Sequence, residues 1–359
     1  MSASLRGDSK VSLLEGRLGS DWAAIRKAGA DTEVRRQELR SLFRDLNSSD
    51  SGLVVLGSVA RGEVTSSSDL DWILLIDSQA FPEHKEQEQD IERRLAEQEF
   101  ISPGRSGVFG RMVGSHGLVH NIGGEDDLNS NTTRRVLLLL ESFPIGNREA
   151  YDRVRRQILR RYLTDDRGLT YGISGVRVPR FLLNDLTRYW RTITVDFVYK
   201  QRSDNDGKWA LRNAKLRLSR KLIFAAGLLT CFFCHLDADA AEAREALKEA
   251  KDVAPLTDYV ERLLSLTPLE MVAKACLELN VKPETAHRIF DHYDRFLSIL
   301  DDPAKRKELE GVRGHPDLRR SSVWREVQQV SHPFHEGLVS LFLKDDQKLT
   351  QLTMEYGVF

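Results

Sequence analysis

The chain has 359 residues, enough for two domains or for one large domain with appendages. With 41% hydrophobic and 30% charged residues and a net charge of −1, it reads as a globular chain without a global field that selects nucleic acid or membrane, so any anion site must be a local cluster. Three cysteines exclude a disulfide framework and any disulfide partner, MSASLRGDSK lacks a signal pattern, and the apolar run Leu222–Cys234 is about half of a bilayer span; a cytoplasmic protein with no membrane partner is expected.

Residues 11–47 are helical by periodicity. Leu13, Leu14, Leu18 and Trp22 form one stripe, and Leu39, Leu42, Phe43 and Leu46 a second. Asn47–Gly52 is a loop, and Leu53–Leu56 and Trp72–Ile76 are short buried strands. Pro82 opens a charged helix to about Phe100. Between 102 and 124, glycines at 104, 107, 110, 114, 117, 123 and 124 punctuate β-like pieces such as Gly117–Ile122, which suits tight strands or a lid. Helices then follow almost to the end: Thr132–Ser142, the basic Asn147–Leu163, Pro179–Lys200, and Lys208–Cys234 after the Asp206–Gly207 turn. Five more fall near 239–251, 255–265, 268–279, 283–300 and 321–354. The pattern divides the chain into a small part with strands, residues 1–130, and a larger helical part, 131–359.

The chemistry gathers between Leu56 and Asp77. Asp69 and Asp71 are separated by one residue, so in extended backbone both carboxylates point to one side. Two such charges repel, and burial sharpens the conflict. A divalent cation removes it, and two aspartates with water and phosphate completing the shell suit Mg²⁺. Gly57-Ser58 follows the first strand; the glycine allows close backbone approach, the serine adds a donor, and Ser58–Gly62 can start a helix that faces a phosphate.

Gly57-Ser58, Arg61-Gly62 and Ser68-Asp69-Leu70-Asp71, in that order and between two strands, resemble the signature of the DNA polymerase β-type nucleotidyltransferase superfamily. Within it the segment is similar to the protein-adenylylating domains of glutamine synthetase adenylyltransferase and to nucleotidyltransferase domains found beside regulatory domains. Ile122–Asn129 and Phe181–Arg191 look like that second group as well. The resemblance implies an α+β fold: a small mixed β-sheet nucleotidyltransferase core in 1–130, with the helical domain of 131–359 completing the nucleotide cleft.

It also implies a nucleoside triphosphate substrate, with ATP the first expectation, and catalysis with Mg²⁺ or Mn²⁺. Asp69 and Asp71 would hold the metals, and Gly57 and Ser58, with Arg61 nearby, would contact the phosphates. Two cations about 4 Å apart clamp the attacking and leaving oxygens of an in-line displacement. The superfamily adds a third carboxylate from a later strand; the expected strand Gly117–Ile122 has none, which leaves Glu125 or Asp127 to swing in, His120 to substitute, or the site weakened. On the helix after Lys208, Arg212, Lys215 and Ser219 share a face at spacings of three and four. Lys215 and Ser219, a turn apart, match the Lys and Ser that superfamily members place on a helix of the second domain to hold the triphosphate.

A protein hydroxyl is the first expected acceptor. A small molecule, a tRNA end or a second nucleotide, as in cyclic-nucleotide or oligonucleotide second-messenger synthases, are alternatives, and so is a non-catalytic nucleotide-binding regulator. Arg148, Arg153, Arg155, Arg156, Arg160 and Arg161 form either a solvated face or an RNA-binding one. Cys231-Phe-Phe-Cys234 is half a metal site in spacing but reads as core. His332-Pro-Phe-His335 carries no assigned role.

Overall fold

The structure, a computed structural model, describes residues 9–101, 108–171, 178–203, 208–312 and 315–357. Gly104, Gly107 and the Asp206–Gly207 turn lie outside the described residues.

Helices α1 (Lys10–Leu18) and α2 (Ala23–Leu42) precede β1 (Ser51–Leu56), the short α3 (Gly57–Arg61) and β2 (Trp72–Ile76). Then come α4 (Pro82–Glu97), β3 (Arg111–Gly114), α5 (Ser115–Val119), α6 (Asn129–Leu140) and β4 (Ser142–Ile145). The strands form one mixed sheet in the order β3-β2-β1-β4. β1 pairs antiparallel with β2 and β4, and β2 pairs parallel with β3.

Both faces of the sheet are covered, which is why β1 and β2 read as unbroken apolar runs rather than alternating ones. Val54, Leu56, Ile73, Leu75 and Val113 face the large core shared with the helical part. Leu53, Val55, Trp72, Leu74 and Ile76 face a second core under α2 and α4, with Leu39, Phe43, Ile91 and Leu95.

The expected small mixed sheet with a large helical remainder is what forms, an α+β fold. Two local expectations are corrected. Gly117–Ile122 is not a strand: α5 occupies Ser115–Val119, and the third strand lies before it at Arg111–Gly114. The helix expected to run to Ser142 ends at Leu140, and Ser142–Ile145 turns back as β4, with Leu56 opposite Ser142. The sheet therefore takes strands from both sides of residue 130.

The helical part comprises α7 (Glu149–Asp165), α8 (Arg167–Tyr171), α9 (Arg180–Ser203), α10 (Trp209–Lys215), a π-helical turn (Leu216–Arg220) and α11 (Lys221–Leu236). It continues through α12 (Ala241–Ala250), α13 (Ala254–Leu263), α14 (Pro268–Glu278), α15 (Pro283–Asp301) and α16 (Pro303–Gly311). α17 (His315–Leu318), α18 (Ser322–Ser340) and α19 (Gln347–Leu352) complete it. Pro268, Pro283 and Pro303 stand at helix starts, where a missing N–H costs nothing, and Thr267 and Glu270 form a reciprocal cap on α14.

α11 is buried along its length, and Cys231, Cys234 and Cys276 are free buried thiols. Among the described residues no single helix is long and apolar enough to cross a membrane. The N-terminal helices pack on the far end of the chain: Trp22 stacks on Phe290 at 4.7 Å and donates its indole N–H to Asp291 at 2.7 Å.

Candidate active site

The sheet's end at Leu56 builds one wall. The Leu56 N–H donates to the Asp71 carbonyl at 2.8 Å, which carries the β1–β2 ladder one residue past β2. Asp69 and Asp71 thus sit in the extended lead-in to β2 rather than inside it. Leu70 between them is buried in the second core, so the carboxylates on either side turn the other way, together. The lead-in is shaped by a tight turn in which the Ser68 hydroxyl accepts from Thr65 N at 2.9 Å and Ser68 N donates to the Thr65 carbonyl at 3.0 Å.

Gly57 turns the chain from β1 into α3 with φ +67°, and a Cβ there would stand 3.0 Å from Asp71 Oδ2. Both facts require glycine: one by backbone conformation, the other by the close approach of the carboxylate.

The two acids have opposite electrostatics. Burial, reinforced by the neighbouring Asp69 charge, raises the Asp71 carboxyl to about 7. Asp69 is half-buried, which works to raise its carboxyl, yet Lys215 opposite and the more distant Arg306 and Arg220 hold it below its ordinary value. Burial lowers Lys215 in turn, with Asp69 opposing. A pair in which burial and a neighbouring like charge disfavour the second negative charge is a pair that a divalent cation fits, since hard oxygen donors with a concentrated negative charge are what Mg²⁺ or Mn²⁺ takes. Among the described residues no cage of three or more His, Cys, Asp or Glu forms.

The opposite wall comes from the helical part. Gly57, Ser58, Arg61, Glu63, Asp69 and Asp71 line one pocket with Lys215, Ser219, Arg220, Arg306, Leu297 and Leu300. The Lys215 ammonium lies 3.7 Å from Asp69 Oδ1. Ser219 and Arg220 stand in the π-helical turn directly after Lys215. In an α-helix a residue five positions on lies about 140° around the axis; in a π turn, where bonding is i→i+5, it returns to the same side. That is how Lys215, Ser219 and Arg220 all reach one pocket.

Arg61 lines the pocket but is already neutralised. Its Nε donates to Glu63 at 2.8 Å and its Nη1 pairs with Glu141, the residue that leads into β4. The Tyr293 hydroxyl donates to Glu63 Oε1 at 2.8 Å and lies 3.4 Å from the Ser219 hydroxyl. This buried chain joins the sheet to α15 and the π turn. The same seam is latched outside, where Ser66 donates its N–H to the Asp301 carboxylate and its hydroxyl to the Asp301 carbonyl, both at 3.0 Å.

Seven of the residues singled out in the sequence thus meet: Gly57, Ser58, Arg61, Asp69, Asp71, Lys215 and Ser219. The structure places four others, Glu125, Asp127, Arg212 and His120, apart. Glu125 is exposed on the loop after α5. Asp127 is buried at the centre of an ion-pair network with Arg135 and Arg188, at 2.9 and 2.7 Å, and also accepts from Gly123 N at 3.0 Å, away from the pocket lining. Arg212 does not line the pocket. His120 is exposed beside His116, their rings 5.0 Å apart. Arg220, Arg306 and Glu63 line the pocket without having been singled out, and Glu141 stands behind it. Most of the arginines in and just before α7 are paired within the chain: Arg148 on Asp152, Arg153 on Asp77, Arg156 on Asp258 and Glu261, Arg161 on Asp165.

Residues 36–102 match the family model of the nucleotidyltransferase domain. The match runs from α2 through β1, α3 and β2 past α4, so it includes the glycine turn and both aspartates, and it is consistent with the DNA polymerase β-type superfamily. This stretch is a nucleotidyltransferase domain, and such a domain supports transfer of a nucleoside monophosphate from a nucleoside triphosphate in general. No curated protein and no solved structure matches the chain.

Proposed function

We propose that this pocket binds a nucleoside triphosphate, ATP first among them, and transfers its nucleoside monophosphate to an acceptor hydroxyl with release of pyrophosphate. The observation that carries the reading is that Asp69 and Asp71 converge on one side of a pocket whose other side presents Lys215, Arg220 and Arg306. Carboxylates for a cation stand on one side and three cations for a triphosphate on the other, of which Lys215 is shared with Asp69 and Arg306 with Glu310.

Asp69 and Asp71 would hold Mg²⁺ or Mn²⁺. When bound, the cation neutralises charge that develops on the phosphate oxygens. Lys215, Arg220 and Arg306 would hold the β- and γ-phosphates by charge-assisted hydrogen bonds, which are the strong ones. The Ser219 hydroxyl, facing the Tyr293 hydroxyl, has its own proton to give, and Ser58 offers a second hydroxyl. Leu297 and Leu300 exclude water from that wall. The acceptor oxygen forms a bond to the α-phosphorus and loses its proton; the bond from that phosphorus to the bridging oxygen breaks, and pyrophosphate leaves with the electron pair.

A protein hydroxyl remains the acceptor we favour, from the resemblance of the Gly-Ser and Asp-x-Asp segment to protein-adenylylating domains. One observation favours a second reading, nucleotide binding without turnover: Glu63, the third acid in the pocket lining, is occupied by Arg61 and Tyr293 and is not free to take the acceptor's proton. One experiment separates the two. The protein is incubated with each labelled triphosphate and Mg²⁺ or Mn²⁺. Pyrophosphate release that disappears in Asp69→Ala/Asp71→Ala supports transfer; saturable binding without release supports the second reading; neither result overturns both.

A further inference from the structure

His332 and His335, which the catalytic pocket does not use, line a different cavity. It has a volume of about 430 Å³ and is walled by Arg288 of α15, by His332, His335, Glu336 and Val339 of α18, and by Lys344 in the π-helical turn Leu341–Asp345 that follows. Lys221, at the start of α11, adds a further ammonium 3.4 Å from His335 Nδ1. Gly337 lets α15 and α18 close on each other here, since a Cβ at that position would stand 2.7 Å from Ile289 and 3.1 Å from Arg288.

The charge of this groove is lopsided. Its single carboxylate, Glu336, is engaged by His332 at 3.5 Å. Among the described residues Arg288 and Lys344 form no ion pair, whereas the arginines of α7 are mostly matched to acids. The groove is separate from the catalytic pocket: on α15, Arg288 precedes Leu297 by nine residues, about 14 Å of helix. The Tyr293–Phe334 contact, rings 5.6 Å apart, fills the space between α15 and α18 on the way.

We propose that this groove binds a phosphorylated small molecule, its phosphoryl group held by Arg288 and Lys344 and by the Nε2–H of His335, whose Nδ1 faces Lys221, with His332 beside it on Glu336. The guanidinium fork and an ammonium match phosphate oxygens, and a neutral imidazole still donates one N–H. The volume falls within the range of small-molecule sites, about 300–1,000 Å³. A polymer is disfavoured because a nucleic-acid surface needs a basic track beyond one groove, and the arginine-rich helix that could extend it is internally paired.

The test follows the imidazole signals of His332 and His335 by NMR in the full-length chain, with EDTA present and assignments from His332→Gln and His335→Gln. Inorganic pyrophosphate and AMP are titrated separately. Saturable shifts with either support the site: pyrophosphate alone identifies a free inorganic anion, and AMP alone a nucleotide. Arg288→Glu/Lys344→Glu should weaken binding at least about tenfold with an unchanged circular dichroism spectrum, since two charge-assisted contacts are reversed. Lys215→Met, altered in the catalytic pocket, should leave the shifts in place. No shift with either ligand, shifts undiminished in the charge-reversal variant, or much tighter binding of an RNA oligonucleotide overturns the proposal.

Discussion

The Lys215 ammonium stands 3.7 Å from a carboxylate oxygen of Asp69, across the seam between the sheet and the helical part. In the absence of ligand each favours the other's charged form: Lys215 holds the Asp69 carboxyl down, and Asp69 opposes the burial that lowers Lys215. With a triphosphate present, Lys215 has a competing partner. Lys215→Met should reduce pyrophosphate release by about a hundredfold, the usual loss when one donor to a developing oxyanion is removed. Thermal unfolding of the variant, measured without nucleotide, should change little, because the pair is partly open to water.

Asp71 makes a pH signature. Its carboxyl is raised from 3.8 to about 7, first by burial and then by Asp69. Between those values the folded chain retains a proton that the unfolded chain has released, so the stability this group contributes falls as pH rises through that window. Without metal, the melting temperature of Asp71→Asn should gain on that of the wild type from about pH 5 to about pH 8. A divalent cation should reverse the trend in the wild type only. Parallel melting curves for the two proteins across that range would contradict the assignment.

Gly57 separates conformation from chemistry. Gly57→Ala places a side chain at φ +67° with its Cβ 3.0 Å from Asp71 Oδ2. The backbone term costs about 1–2 kcal/mol in denaturant titration. Displacement of the Asp71 carboxylate should lower pyrophosphate release further than the stability loss explains, measured at a temperature where the variant is fully folded.

Asp127 tests a structural role against a catalytic one. It is fully buried against Arg135, itself fully buried, and also holds Arg188. Asp127→Ala should cost about 1–3 kcal/mol, because it leaves the buried Arg135 guanidinium to Asp185 and Tyr162 with part of its N–H groups unsatisfied. Pyrophosphate release per folded molecule should remain at the wild-type level. A variant that folds normally but no longer releases pyrophosphate would return Asp127 to the reaction.

What the sequence shows, it shows through local pattern. Val54, Val55 and Ile73–Ile76 read as strands because covered faces demand unbroken apolar runs, and Gly57, Asp69 and Asp71 read as a site because their spacing has a chemical reason. Lys215 and Ser219 are legible at helical spacing. Arg220 is not, because its approach depends on a π turn that shifts the register by one residue. Arg306 lies in Pro303–Gly311, a charged helix whose pattern resembles any solvated surface until its packing against the pocket is seen. β4 escapes because it is four residues long, contains a proline and follows a helix directly. Glu141 is hidden with it.

The fourth strand has a consequence for anyone dividing this chain. β1, the strand that delivers Gly57, is sheltered on one side by β2 and on the other by β4, which arrives only after α6. A fragment cut at residue 130 would retain both aspartates and present the unsatisfied backbone of β1 to solvent, an invitation to self-association with its own copies. The tools of this site are encoded early, but the chain must be synthesised well past them before they have a sheet to stand on.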